Sequence, residues 1–113
     1  MPANRPRMYL SVKEKYPDYF AALEALGQAA REAGPLDEQT VHLVQLTAAA
    51  AMRSEGAVHS HVRRALKMGA TPEQIRHALI SVTSTIGFPN VTAALSWAED
   101  VIGGRATPTV GDD

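Results

Sequence analysis

The chain has 113 residues, 45% of them hydrophobic and 20% charged, which suits one folded domain rather than two or a disordered segment. Eleven Lys and Arg stand against twelve Asp and Glu, a formal net charge of -1 that provides no field for drawing in polyanions, so nucleic acid is not expected as a partner. The absence of cysteine removes disulfides, thiolate zinc sites, iron–sulfur clusters and thiol nucleophiles together.

Aromatic residues make up only 5%, Trp97 is the sole tryptophan, and alanine is plentiful, so the core is expected to be small aliphatic side chains on packed helices. A domain of this size hides only about two-thirds of the surface its unfolded chain exposes, and burial against copies of itself is expected to supplement that. The longest nearly apolar stretch, Val41 to Met52, carries His42, Gln45 and Thr47 and is too short to span a bilayer. Met1 to Arg7 lacks the apolar run of a signal peptide. A cytoplasmic protein without membrane attachment is the default expectation.

In chain order, residues 1–7 read as a flexible arm and Ser11 to Lys15 as a short opening helix. From Asp18 to about Glu32, Phe20, Leu23, Leu26 and Ala30 recur at helical spacing, and Gly34 with Pro35 ends that helix. Asp37 is placed to cap a third helix running to about Arg53, since its carboxylate accepts a free backbone N–H at the positive end of the helix dipole. Leu43, Leu46 and Ala50 line one side of it, and Val41, Val44, Ala48 and Ala51 another. A helix apolar nearly all round is expected at the centre of the fold.

A fourth helix is expected from about Ser54 to Met68, with Val58, His61, Val62 and Ala65 inward and His59, Arg63 and Lys67 on the opposite face. Thr71, Pro72 and Gln74 supply an N-cap, a first-turn proline and a capping-box partner for a fifth helix, with Ile75, Ala78, Leu79, Val82 and Ile86 inward. Gly87 closes it. Pro89 or Asn90 opens a sixth, with Val91, Ala94, Leu95, Ala98 and Val101 on one face. Without any strand pattern the class is all-α, a single domain over residues 8–102 with a flexible tail over 103–113.

His61 is a histidine on an apolar stripe. Desolvation there favours the neutral ring, which can give or take one proton near pH 7, and a core histidine bonded to a carbonyl or carboxylate satisfies the same pattern. His42 and Gln45, one turn apart in the most apolar helix, need something polar to meet them: either a pocket wall shared with His61 or a buried hydrogen-bonded pair. Arg63 and Arg64, with Lys67 and Arg53 nearby, form a basic cluster that reads as a solvated or subunit-contacting face, or as an anchor for an acid substrate, because a carboxylate is best held by a bidentate guanidinium. Glu55 and His59 share a face at i and i+4 and, with one distant ligand, would make a metal site, whereas His59 and His61 diverge by roughly 200° and cannot share an ion. Ser81, Ser84 and Thr85 beside His77 lack the surroundings of a serine nucleophile.

Four segments in order, YPDYFAALEALGQAA, GPLDEQTVHLVQLTAAAA, HVRRALKMGATPEQIRHAL and GFPNVTAAL, make the chain resemble the carboxymuconolactone decarboxylase family, whose superfamily also holds the alkylhydroperoxidase D-like proteins. The resemblance spans roughly Tyr16 to Ile102. It implies an all-helical bundle of about six helices assembled as a homotrimer or homohexamer. In the peroxidase-type members a C-x-x-C pair precedes a histidine by four residues. His61 matches that histidine, Ser54 and Ala57 fall where the cysteines would be, and His42 falls about where an upstream glutamate would be. Ser54 and Ala57 form neither sulfenate nor disulfide, so thiol peroxidase chemistry is not expected.

The decarboxylase branch, with a histidine in an H-V-R-A-A-L type helix and no C-x-x-C pair, is the closer resemblance. It implies loss of carbon dioxide from a lactone whose carboxylate is conjugated with the lactone carbonyl, without cofactor or metal. The ligand expected is a small organic acid or lactone, with His61 and His42 as catalytic residues and Gln45, Glu55, Arg63 and Arg64 binding substrate. Two other readings stand beside this one: a non-catalytic binding or assembly module on the same fold, and a metal-dependent enzyme using histidine and Glu55.

Overall fold

Local signals set most of the helix boundaries. The computed structural model describes residues 4–104, with side chains from Met8 onward. Helix α1 spans Asn4–Lys15 and α2 spans Pro17–Glu32. Helix α3, Glu38–Ala51, opens under the Asp37 carboxylate, which accepts the Thr40 N–H at 2.7 Å. These bonds to Thr40 hold the Asp37 carboxyl below the usual carboxylate range. Helix α4, Glu55–Lys67, starts at Ser54 and ends in a Schellman turn: Gly69 at φ 95° lets its own N–H reach Leu66 O and the Ala70 N–H reach Ala65 O. Helix α5, Pro72–Ser81, carries the expected capping box, with Gln74 N–H to Thr71 Oγ1 at 3.1 Å and Thr71 N–H to Gln74 Oε1 at 2.8 Å. Helices α6, Thr83–Ile86, and α7, Phe88–Ile102, complete an all-α fold of seven helices among the described residues.

The core is the meeting of α3, α4, α5 and α7. Leu46, Ala49 and Ala50 of α3 pack with Val58, Val62 and Ala65 of α4, Ile75 and Leu79 of α5, and Ala94 and Ala98 of α7. The alanines on three of these helices let their axes approach closely, and the six largest fully buried side chains are all Leu, Ile or Val. Each is worth about 1.5–3 kcal/mol against leaving it in water. Arg76 of α5 ties to α7 through a two-pronged bond to Glu99, at 2.6 and 3.0 Å, and pairs with Glu73. Helices α1 and α2 form a separate hairpin beside this core, held by Phe20, which is buried edge-on against Tyr9 with ring centroids 4.8 Å apart.

Three expectations are corrected. The opening helix begins at Asn4 rather than Ser11, so only residues 1–3 of the expected arm lie outside the described residues; of the expected tail, residues 105–113 do. The expected fifth helix breaks at Val82 into α5 and α6: Val82 stands at φ -99° and ψ 13°, off the helical region, and it and the next residue, Thr83, are both β-branched. Helix α3 is not enclosed all round: Val44, Ala48 and Ala51 face outward, with Val44 53% exposed. On α2, whose main contact with the core helices is with α3, Leu23 and Leu26 are exposed.

Candidate functional site

Helices α3 and α4 are joined through Met52, Arg53 and Ser54, and the turn folds their facing sides together. His42 on α3 and His61 on α4 come to 5.9 Å between ring centroids at a 37° tilt. His42 is 3% exposed. Gln45 follows one turn along α3, and Arg64 and Lys67 follow His61 along α4, so spacing of three residues aligns each set on one face. The α1–α2 hairpin supplies the opposite wall: Tyr9, Phe20, Leu23, Glu24, Gly27, Gln28 and Arg31 enclose, with these residues and with Glu38 and Met68, a cleft of about 730 Å³. That is room for a small organic molecule.

Burial pushes the His42 imidazole below its ordinary value. The positive charges of Arg64 and Arg31 push the same way, while Glu38 and the neighbouring Gln45 amide act weakly against them. His42 is thus a neutral ring at neutral pH. Its Nδ1 and the Gln45 Oε1 are both out of contact with solvent and make no well-formed hydrogen bond, which leaves two polar atoms at the cleft wall in need of a partner.

The cleft combines these histidines with three cations, Arg31, Arg64 and Lys67, and two carboxylates, Glu24 and Glu38. Arg31 Nε stands 3.8 Å from Glu38 Oε1. Arg31 was not expected from the sequence, since nothing local places α2 against α3. Gly27, one turn before it, lies against the guanidinium: a Cβ there would stand 3.3 Å from Arg31 Nη1, a contact that a shift of a few tenths of an ångström in that side chain relieves.

Of the residues expected to form the site, His42, Gln45, His61 and Arg64 meet in the cleft, and Glu55 and Arg63 do not line it. The helical turn that points His61 and Arg64 inward carries Glu55, His59 and Arg63 to another face. There His59 Nε2 lies 3.9 Å from Glu55 Oε2 and 3.6 Å from Asp100 Oδ2 of α7. Ser54 and Ala57 serve structure: the Ser54 hydroxyl accepts the Ala57 N–H at 3.4 Å at the start of α4, and Ala57 packs on the core. Arg53 donates to Asn90 Oδ1 at 2.5 Å, away from the cleft. No helix among the described residues is long and apolar enough to cross a membrane.

The comparisons with known proteins agree with this architecture. The family model described as Carboxymuconolactone decarboxylase family matches residues 17–100. Two uncharacterized proteins of Methanocaldococcus jannaschii are similar: MJ0742 is 33% identical over 89 residues, covering 78% of this chain and 86% of that protein, and MJ1511 is 29% identical over 92 residues, covering 81% and 86%. The crystal structure of apo-lpg0406, a carboxymuconolactone decarboxylase family protein from Legionella pneumophila, superposes with a TM-score of 0.80 at 22% identity, covering 90% of this chain and 91% of that one, a likeness of fold. With the family pattern running from α2 through most of α7 and the helical architecture matched, the chain belongs to the carboxymuconolactone decarboxylase family.

Proposed function

We propose that the protein is a cofactor-independent enzyme that decarboxylates a small organic acid of the carboxylactone type in the cleft between α2, α3 and α4. The observation that carries this reading is the pairing of His42 and His61 in one cleft with Arg31, Arg64 and Lys67. The reaction needs three things from the protein: an anchor for the acid, a partner for the oxygen that gains charge, and one proton for carbon. As the bond to the departing carboxylate breaks, its electron pair moves into the conjugated carbonyl and leaves a dienolate. Carbon dioxide leaves as that bond breaks, and proton return to carbon then completes the product.

Arg64 and Arg31 are the anchors, best used on a carboxylate the substrate keeps. A clamp on the departing carboxylate would stabilise the starting acid more than the transition state. His61 gives the proton. His42, held neutral, donates a hydrogen bond to the developing oxyanion or orients the ring of His61, with Gln45 beside it. No thiol takes part, because the chain has none.

The assembly belongs to the same proposal. Leu26 is 66% exposed, Val44 53% and Met52 80%, which leaves apolar faces on α2 and α3 that a homotrimer or homohexamer would cover.

Turnover of γ-carboxymuconolactone, followed by ultraviolet absorbance without added metal or thiol, tests the reading. The native protein is expected to consume it, and His61→Ala to be slower by about 10²- to 10⁴-fold while keeping its helicity. Equal rates in the two proteins would overturn the role of His61, and no turnover by either would remove this substrate.

A further inference from the structure

A second polar cluster lies outside the cleft, and its chemistry is different. His59 in the middle of α4, Glu55 one turn earlier and Asp100 near the end of α7 bring one nitrogen and two carboxylate oxygens within 4.8 Å of one another. His59 Nε2 is shielded from solvent, lies between the two carboxylates at 3.6 and 3.9 Å, and makes no hydrogen bond. Both separations exceed a direct hydrogen bond and approach the spacing of atoms that share an ion. A point between the three atoms is within about 2.8 Å of each, and modest side-chain rotation closes that to the roughly 2.0–2.2 Å of zinc to imidazole nitrogen or carboxylate oxygen. Nothing in the decarboxylation chemistry uses these residues, and the opposite face of α4 carries His61.

The geometry points to a divalent cation site formed by Glu55, His59 and Asp100, separate from the cleft. The donor set selects the class of ion: an imidazole with two carboxylates suits a borderline first-row cation such as Zn²⁺, whereas Mg²⁺ and Ca²⁺ prefer all-oxygen surroundings. Three protein ligands leave open positions for water. Because Glu55 and His59 are on α4 and Asp100 is on α7, a bound ion clips together two helices whose contact builds the core. An ion that binds the native chain and not the unfolded one raises thermal stability with its concentration.

Titration of Zn²⁺ into the chelator-treated full-length protein by isothermal calorimetry, with melting followed by circular dichroism, tests the site. The expected result is one ion per chain and a Tm that rises with Zn²⁺. Affinity should drop at least tenfold in each of His59→Ala, Asp100→Asn and Glu55→Gln. Glu55 is exposed, so Glu55→Gln keeps the test meaningful should a change at His59 disturb folding, and the melting curve of each variant in chelator reports that directly. The His42→Gln, His61→Ala double variant should still bind the ion with native affinity. Absence of Zn²⁺ binding, binding unchanged in the Glu55 and His59 variants, or loss confined to the double variant would each overturn the assignment, the last by moving the ion into the cleft.

Discussion

At His42 a buried imidazole faces two guanidinium groups, and both circumstances favour the neutral ring. The consequence for stability has a definite sign. Its folded value lies below the ordinary 6.5, so between the two the unfolded chain takes up a proton that the native chain refuses. Stability conferred by the neutral ring is present above pH 6.5 and is lost as pH falls through the folded value. Melting temperatures measured from pH 8 to pH 5 should therefore fall more steeply in the native protein than in His42→Gln. Parallel curves would mean that the ring is not held neutral by its surroundings.

Arg53 illustrates backbone strain at a single residue. It follows the C-cap of α3 at φ 55°, the left-handed region, in a Schellman turn closed by the Arg53 N–H to Ala50 O and the Ser54 N–H to Ala49 O. A side chain there costs about 1 kcal/mol that glycine avoids. Arg53→Gly and Arg53→Ala both lose the bond to Asn90, so their difference isolates the strain. In urea unfolding Arg53→Gly should be the more stable of the two by about 1 kcal/mol.

Among the elements, α5 has the best-marked start. Thr71→Ala removes both the hydroxyl acceptor and its share of the capping box, and should cost about 1 kcal/mol in urea unfolding. Starts such as those at Asp37 and Thr71 were readable in the sequence because a cap is a contact across three residues. The break at Val82 was not, since the apolar spacing of Val82 and Ile86 continues a helical pattern through a residue whose backbone, at φ -99° and ψ 13°, leaves the helix. Nor was the early start of α1: Pro6 resembles a breaker, yet it falls in the first turn, where its missing N–H has no helical partner to lose. The same contrast governs the site. His42 with Gln45, and His61 with Arg64, were readable as pairs at helical spacing, and the same helical turn carries Glu55 and Arg63 away from the cleft. Arg31 and Asp100 joined their clusters only through helix packing, which no local pattern encodes.

Over the whole molecule, large apolar side chains are exposed on several elements. The α1–α2 hairpin and the outer side of α3 keep Met8, Leu23, Leu26, Val44 and Met52 in water, and Ile80 of α5 and Phe88 of α7 are exposed as well. Sedimentation of the native protein should give a defined oligomer, and Val44→Glu combined with Leu26→Glu should shift it toward monomer without loss of helicity. A native protein that sediments as a monomer would contradict the proposed assembly. Because Leu23 lines the cleft and is itself exposed, the α2 wall borders both ligand space and the face that assembly would cover.

The four histidines provide an internal comparison for the cleft, because His42 and His61 line it and His59 and His77 do not. Their imidazole signals, followed by nuclear magnetic resonance while a small dicarboxylate such as muconate is added, report on ligand binding without requiring turnover. The His42 and His61 signals should move together and saturate, those of His59 and His77 should stay in place, and Arg64→Ala should weaken the response at least tenfold. Four signals that stay fixed, or that all drift alike, would contradict the assignment of this cleft as the site for a small acid.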